Sequence, residues 1–216
     1  GNPEGQATSR IAAAVMDHVK DYAYGIQFAS FYMDGEFIPH VRMMETGKQS
    51  TSLANLFGLP YVLTAEPRAY DKATLNYNWQ IGGTEAFSVY SSVTEKIDSE
   101  SASHAVSAVL RFLTRMGIIR YNCHAGYIST VLDEEELLSV KSDKSGGFLK
   151  RFVSPGDEVV RGNVIANVII YANIPAFHCP SIIFAPAIVE DIIDGNLNNV
   201  DIAKNLDVFI GNSPPI

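Results

Sequence analysis

The chain has 216 residues, of which 47% are hydrophobic and 19% are charged, which is enough apolar material for one large domain or for one domain plus a small one. The formal net charge of −8 disfavours nucleic acid as a partner, because an acidic surface repels phosphate backbones. No apolar run reaches the ~20 residues of a membrane span, and two cysteines are typical of a reducing compartment, so we expect a cytoplasmic protein without a disulfide scaffold.

The first half of the sequence alternates helical and extended patterns. The first helix is predicted from the spacing of Ile11, Val15 and Val19, with Ser9 as its cap. Helices are predicted over 9–22, 51–57 and 99–116, and strands over 24–31, 38–44, 59–65 and 86–93. Residues 66–85 look irregular and contain the single tryptophan, Trp79. This alternation predicts an α/β fold in which crossover helices cover a sheet.

The character of the sequence changes after Gly117. Short β-branched runs such as "GYISTVLD", "GGFLKRFV" and "SIIFAPAIV" are separated by turn residues, and no helix is predicted between 120 and 190. We therefore predict an α/β domain over 1–120, a small all-β, barrel-like domain over 121–195 and a tail over 196–216. The opening "GNPEG" is a turn that leads directly into a helix, so we expect the α/β domain to lack its N-terminal part.

The order of several motifs resembles the succinylglutamate desuccinylase/aspartoacylase family. "GNPEGQATSRIAAAV", "IPHVRMM", "TSLANLFGLPYVL", "AFSVYSSVTEKID" and "FVSPGDEVVRGNVIA" follow one another as the corresponding family segments do, over roughly residues 1–190. The resemblance implies a zinc-dependent amidohydrolase that acts on N-acylated amino acids. It also implies a carboxypeptidase-like mixed sheet with crossover helices, followed by a small β-domain.

The sequence departs from the family pattern where the chemistry would lie. In the family, an Ile-Asp-Leu-His strand carries a zinc ligand, and "AYGIQF" places Gly25 at the Asp and Gln27 at the ligand His. Tyr90 stands where the family has its catalytic Glu, and Glu95 is a substitute five residues on. The family's other two ligands lie upstream of the segment with which this sequence begins. We therefore expect no metal ligands in this chain and no zinc bound by the chain alone.

The residue types support that expectation. A neutral amide is a poor replacement for imidazole on zinc, and a tyrosine is protonated at neutral pH, so it is not an ordinary general base. Gln27 is either a buried amide bonded to neighbouring backbone or an amide that lines a remnant pocket.

Arg42, His40 and Trp79 complete the candidate substrate-binding set. His40 and Arg42 alternate, so they share one strand face, and Arg42 could bind a substrate carboxylate or form a structural salt bridge. Trp79 either borders a pocket or folds its loop onto the core.

Two Cys-His pairs, Cys123–His124 and His178–Cys179, invite a structural zinc interpretation. Neighbouring strand residues point to opposite faces, which favours buried thiols beside incidental histidines instead. A biotinyl or lipoyl carrier is disfavoured because no lysine occurs between Ala166 and Ala185.

Two functional hypotheses remain open. The first is a deacylase of the desuccinylase type with an altered site, and the second is a non-catalytic protein that binds a small carboxylate or supports an assembly. In both, the expected partner is a small acylated amino acid or another small carboxylate. Open strand edges in the β-domain favour a homodimer that would cover them.

Overall fold

A computed structural model describes residues 1–31, 35–94, 96–140, 148–160, 162–169, 181–184, 201–202 and 206–211. The chain divides into two compact units. The first comprises Gly1–Ala29, Pro39–Tyr90 and Ser103–Glu134, and the second comprises Ser30–Ile38, Ser91–Ala102 and Glu135–Ile216. In the part of the chain described here, no helix is long and apolar enough to cross a membrane.

A five-stranded mixed sheet organises the first unit. Its strands are β1 (Tyr24–Ala29), β2 (His40–Met44), β3 (Tyr61–Ala65), β4 (Glu85–Tyr90) and β5 (Thr130–Asp133), in the spatial order β1-β4-β2-β3-β5. β1 runs parallel to β4, whereas β2, β3 and β5 run parallel to one another and antiparallel to β4. The sheet and its helices confirm the predicted α/β class and its mixed sheet.

Among the described residues, four α-helices accompany the sheet. They are α1 (Ala7–Val19), α2 (Thr51–Ala54), α3 (Leu75–Gly82) and α4 (Ser99–Arg115). The α4 N-terminus is capped by Asp98, whose Oδ2 accepts the Ser101 N–H at 2.8 Å. The predicted Ser9 cap is wrong: α1 begins two residues earlier, and Ser9 Oγ accepts the backbone N–H of Asn2 instead.

One face of the sheet carries the apolar core. Val41 and Met43 of β2 alternate with the polar His40 and Arg42, so the strand directs its apolar side chains to one side. Three aromatic rings form the centre of that side: Phe57, Phe87 and Phe112 are fully buried, with centroids 4.5 to 5.4 Å apart. Phe112 belongs to α4, so this helix covers the apolar face.

Helix α3 contacts the opposite face of the sheet. The prediction that 66–85 is irregular is wrong, because Thr74 Oγ1 caps α3 by accepting the Tyr77 N–H. Gln80 is fully buried, and its side-chain amide pairs with both the N–H and the C=O of Met44 at 3.1 and 3.0 Å. Helix α3 is therefore fixed to the end of β2 by a polar side chain and not by an apolar stripe.

The described part of the second unit is mostly extended. Its strands are β6 (Leu138–Val140), β7 (Phe148–Arg151), β8 (Glu158–Val159), β9 (Asn163–Val164), β10 (Ala166–Ile169), β11 (Ser181–Phe184), β12 (Asp201–Ile202) and β13 (Leu206–Gly211). They pair as a four-stranded sheet, β6-β11-β13-β8, and two ribbons, β10-β7 and β12-β9. The barrel-like closure and the domain limits at 120 and 195 stay predictions. Strand β5, within the stretch assigned to the β-domain, pairs with β3.

Candidate functional site

Three neighbouring strands bring the sequence candidates together on one sheet face. Gln27 of β1 lies opposite Ser88 of β4, and Ser88 lies opposite Arg42 of β2. Residues directly opposite on neighbouring strands point to the same face, so these three side chains form a continuous row. Two residues further along β4, Tyr90 lies opposite His40, the first residue of β2. The row and this pair therefore lie near the ends of β1 and β4 and the start of β2.

Gln27 belongs to a chain of neutral polar groups. Its Nε2 donates to Ser88 Oγ at 2.7 Å, and Asn76 Nδ2 of α3 donates to the same oxygen at 2.7 Å. Asn76 is 2% exposed, and its Oδ1 has no hydrogen-bond partner among the described residues. The central amide of β1 thus binds the neighbouring strand β4 through a serine hydroxyl.

Gly25 is required by the packing of Trp79. A Cβ built on Gly25 would lie 2.6 Å from Trp79 Cε3, closer than any real Cβ contact. The indole is 7% exposed, and its Nε1 donates to the Val19 carbonyl at the end of α1 at 3.1 Å. The aromatic ring therefore occupies the space into which any side chain at position 25 would project.

Arg42 is held by two carboxylates. Its guanidinium lies 3.0 Å from Glu134 Oε2 and 3.6 Å from Asp71 Oδ1, and only 12% of the side chain is exposed. Burial acts to lower the pKa of Arg42, but Glu134, Tyr90 and Asp71 outweigh that effect and raise it. The observed partners match the salt-bridge alternative. A substrate-binding role for Arg42 stays a prediction.

Tyr90 and His40 stack at the end of the rows. Their rings are nearly parallel, with centroids 5.0 Å apart, and His40 is fully buried. Burial raises the pKa of Tyr90, and the hydrogen bond and positive charge of Arg42 oppose it without reversing it. The phenol is therefore a neutral donor and acceptor at physiological pH.

These side chains do not fit a catalytic zinc. A zinc ion of that kind takes three imidazole or carboxylate ligands, whereas the row offers an amide, a hydroxyl and a guanidinium already paired with carboxylates. Gln27 directs its amide nitrogen, which cannot bind a cation, at Ser88. Among the residues that could be described, no three His, Cys, Asp or Glu side chains are grouped as a metal site.

The other predicted residues are Glu95, His178, Cys179 and Trp79. Glu95, His178 and Cys179 are outside the described residues, so the catalytic substitute and the preference for buried thiols over a structural zinc stay predictions. Trp79 packs against Gly25 of β1 from α3 and not from a loop, which corrects the predicted element.

The sequence analysis missed Ser88, Asn76, Asp71 and Glu134. Ser88 was detectable, because the smaller or polar Ala86, Ser88 and Tyr90 alternate with the large apolar Phe87 and Val89. The other three were not, because their elements carry no periodic signal.

Comparison with solved structures identifies the fold. The ectoine utilization protein EutE (DoeB) from Ruegeria pomeroyi matches with a TM-score of 0.66 and 14% identity, over 99% of this chain and 68% of that chain. A succinylglutamate desuccinylase/aspartoacylase from Rhodobacter sphaeroides gives 0.63 and 12%, over 98% and 64%. The chain has the succinylglutamate desuccinylase/aspartoacylase fold. A succinylglutamate desuccinylase from Silicibacter sp. TM1040 agrees, with 0.61 and 14%, over 97% and 65%.

The similarity is structural. No family model matches the sequence, and no curated protein matches it either. This chain spans about two-thirds of the length of the structures named above, 64 to 68% of each. The TM-scores support the fold resemblance inferred from the motif order. Because the identities are only 12 to 14%, the activity has to be argued from the site.

Proposed function

We propose that this chain uses the desuccinylase/aspartoacylase fold to bind a small acylated amino acid, or a similar amide-bearing carboxylate, without hydrolysing it. The observation that carries the proposal is the neutral chain Gln27–Ser88–Asn76, which stands where the resemblance places a zinc-ligand histidine. An amide is suited to hold a ligand by hydrogen bonds and unsuited to activate a metal-bound water.

Two further features support loss of hydrolysis. Gly25 takes the position of the family's aspartate, and Trp79 fills the space beside it, so no carboxylate fits there without repacking. Tyr90 takes the position of the catalytic glutamate and has a raised pKa, so it does not accept a proton from water near neutral pH. Three changes at one site point the same way.

The polar row suits an amide ligand. Asn76 Oδ1 is a buried acceptor that lacks a donor among the residues described, and such a group costs about 1–3 kcal/mol when it stays unsatisfied. The N–H of an acylated amino acid would satisfy it after a local shift that opens the row to solvent. Gln27 and Tyr90 are half-buried at the end of the row and supply amide and phenol groups for the rest of the ligand.

A thermal-shift titration of the full-length protein with N-succinylglutamate tests this proposal. We expect a saturable rise in Tm, because a ligand that binds only the folded state stabilises it by mass action. Incubation with the same compound should release no glutamate. Gln27→Leu should lose the Tm response, since it removes the amide that organises Ser88.

The matched control is Gln6→Leu, the same substitution at an exposed residue that forms no side-chain cap of α1. It should keep the wild-type response. Glutamate release by the wild-type protein would refute the non-hydrolytic part of the proposal. An unchanged Tm in wild type, or an equal response in Gln27→Leu, would refute the binding site.

A further inference from the structure

Two arginines one turn apart on α4 form a second polar cluster, on the side of the sheet that carries the apolar core. Arg111 Nε donates to the Phe57 carbonyl at 2.8 Å. Arg115 donates to the carbonyls of Leu56, at 3.0 Å, and of Ala125. Both guanidiniums therefore meet backbone oxygens at the end of a short helical segment and in the stretch that follows α4.

This cluster contains a largely buried arginine without an ion-pair partner among the described residues. Arg111 is 9% exposed, and no carboxylate forms an ion pair with Arg111 or Arg115 in the described ranges. Buried charges in proteins are nearly always paired, and like charges four residues apart on a helix repel each other. Burial is the main cause that lowers the pKa of Arg111. Arg115 lowers it further, and nearby Cys123 opposes both.

The guanidinium of Arg111 is only partly used. Nε has its carbonyl partner, while Nη1 and Nη2 make no hydrogen bond to any residue that the structure describes. Gly58 and Gly126 flank the side chain, and a Cβ on either would lie 2.9 Å from Nε. Both glycines have a positive φ, +64° at Gly58 and +72° at Gly126. Because neither has a side chain, neither covers the guanidinium of Arg111.

We propose that Arg111 and Arg115 form a binding site for a small oxyanion, a phosphate or carboxylate group, next to Cys123. The planar fork of a guanidinium presents two parallel N–H donors that match two oxygens of such a group. An oxyanion there would neutralise the paired positive charges and use the Nη donors of Arg111. The site is separate from the row of Gln27 and does not depend on the proposed function.

Cys123 provides a reporter in the unmodified protein. Iodoacetamide alkylation of Cys123 is followed by peptide mass spectrometry, with inorganic phosphate added at constant ionic strength maintained by sodium chloride. A bound phosphate should shield the thiol, so alkylation should slow about tenfold once phosphate reaches ten times its Kd. Succinate in place of phosphate tells whether the site takes carboxylates as well. Protection by either anion supports the site.

Arg115→Gln is the test variant, because Arg115 is exposed and its loss leaves the buried Arg111 in place. It should weaken protection at least several-fold, and Arg120→Gln, which removes an exposed arginine outside α4, should not. Equal alkylation rates in phosphate, succinate and chloride would overturn the proposal. Undiminished protection in Arg115→Gln would overturn it as well, and neither result bears on ligand binding at Gln27.

Discussion

At the scale of single residues, the site is defined by what Gly25 permits. Its missing Cβ lets the Trp79 ring lie against β1, and the ring in turn bonds the end of α1. A glycine in a strand normally weakens it, so its presence here reflects the close approach of another group. The position that the resemblance assigns to an aspartate has become part of the packing.

Gly25→Ala should therefore destabilise the protein. The new methyl group would overlap Trp79, and overpacking of this kind costs about 1–3 kcal/mol of unfolding free energy. Urea unfolding measures it. Trp79→Leu should make the alanine nearly neutral in the double variant, because the two residues are in contact.

Gly82→Ala is the matched control for Gly25→Ala. Gly82 lies in α3 with no heavy atom within 4 Å of its Cβ position, so alanine there should be neutral or stabilise the helix by up to about 1 kcal/mol. Equal destabilisation at both glycines would contradict the specific packing of Trp79 on β1.

The titration of Tyr90 makes the free energy of unfolding depend on pH, in a direction that follows from its raised pKa. Burial raises its pKa in the folded state above the ordinary value of 10.0, so the unfolded chain releases the phenol proton first as the pH rises. Stability contributed by the protonated phenol is complete below pH 10 and is lost as the pH rises through the folded-state pKa. A phenylalanine at position 90 has no phenol proton, so its contribution to stability does not fall as the pH rises.

The stability difference between wild type and Tyr90→Phe should therefore shrink above pH 10. It should fall by about 1.4 kcal/mol for each pH unit between the unfolded and folded pKa values. Urea unfolding of both proteins at pH 8 and pH 11 measures this change, and the other tyrosines and lysines cancel in the comparison. A difference that stays constant over this range would contradict the raised pKa.

At the scale of elements, α3 positions the site and was not predicted. Its sequence, "LNYNWQIG", has no apolar period, because its contacts to the sheet are made by Asn76, Trp79 and Gln80. The strands were predicted within a few residues because β-branched and aromatic residues alternate or run together in them. Helices are predicted from the helical spacing of apolar residues. A helix that is attached to the sheet through amide side chains is therefore not predicted in this way.

Gln80 should contribute to stability through the backbone of β2. Its amide supplies both a donor and an acceptor to Met44, as a neighbouring strand would. Gln80→Leu would leave the buried N–H of Met44 without its partner, at about 1–3 kcal/mol, whereas the Met44 carbonyl would still accept the Thr46 N–H. Urea unfolding should show that loss, and the exposed Gln6→Leu should change stability by less than about 0.5 kcal/mol. Equal effects of the two substitutions would contradict the attachment of α3 through Gln80.

At the scale of the whole molecule, the fold could be inferred from the sequence, whereas most contacts in the site could not. The order of motifs was sufficient to infer the fold through its resemblance to the family, and hydrophobic patterning with turn residues predicted most of the elements. Gln27 and Tyr90 were identified from the same alignment. Their partners Ser88, Asn76 and Glu134 were not, since contacts between residues distant in sequence depend on strand order. The scaffold is therefore the desuccinylase/aspartoacylase fold, whereas the row at the strand ends consists of neutral polar groups and a paired arginine, from which we propose ligand binding without hydrolysis.

Metal content and turnover, measured together in one preparation of the full-length protein, test the central claim most directly. Zinc is quantified by inductively coupled plasma mass spectrometry after incubation with excess zinc and desalting, and glutamate release from N-succinylglutamate is followed in the same sample. We predict zinc far below one ion per chain and no glutamate release, because Gln27 and Gly25 supply no ligand. One zinc per chain with sustained hydrolysis would contradict the account.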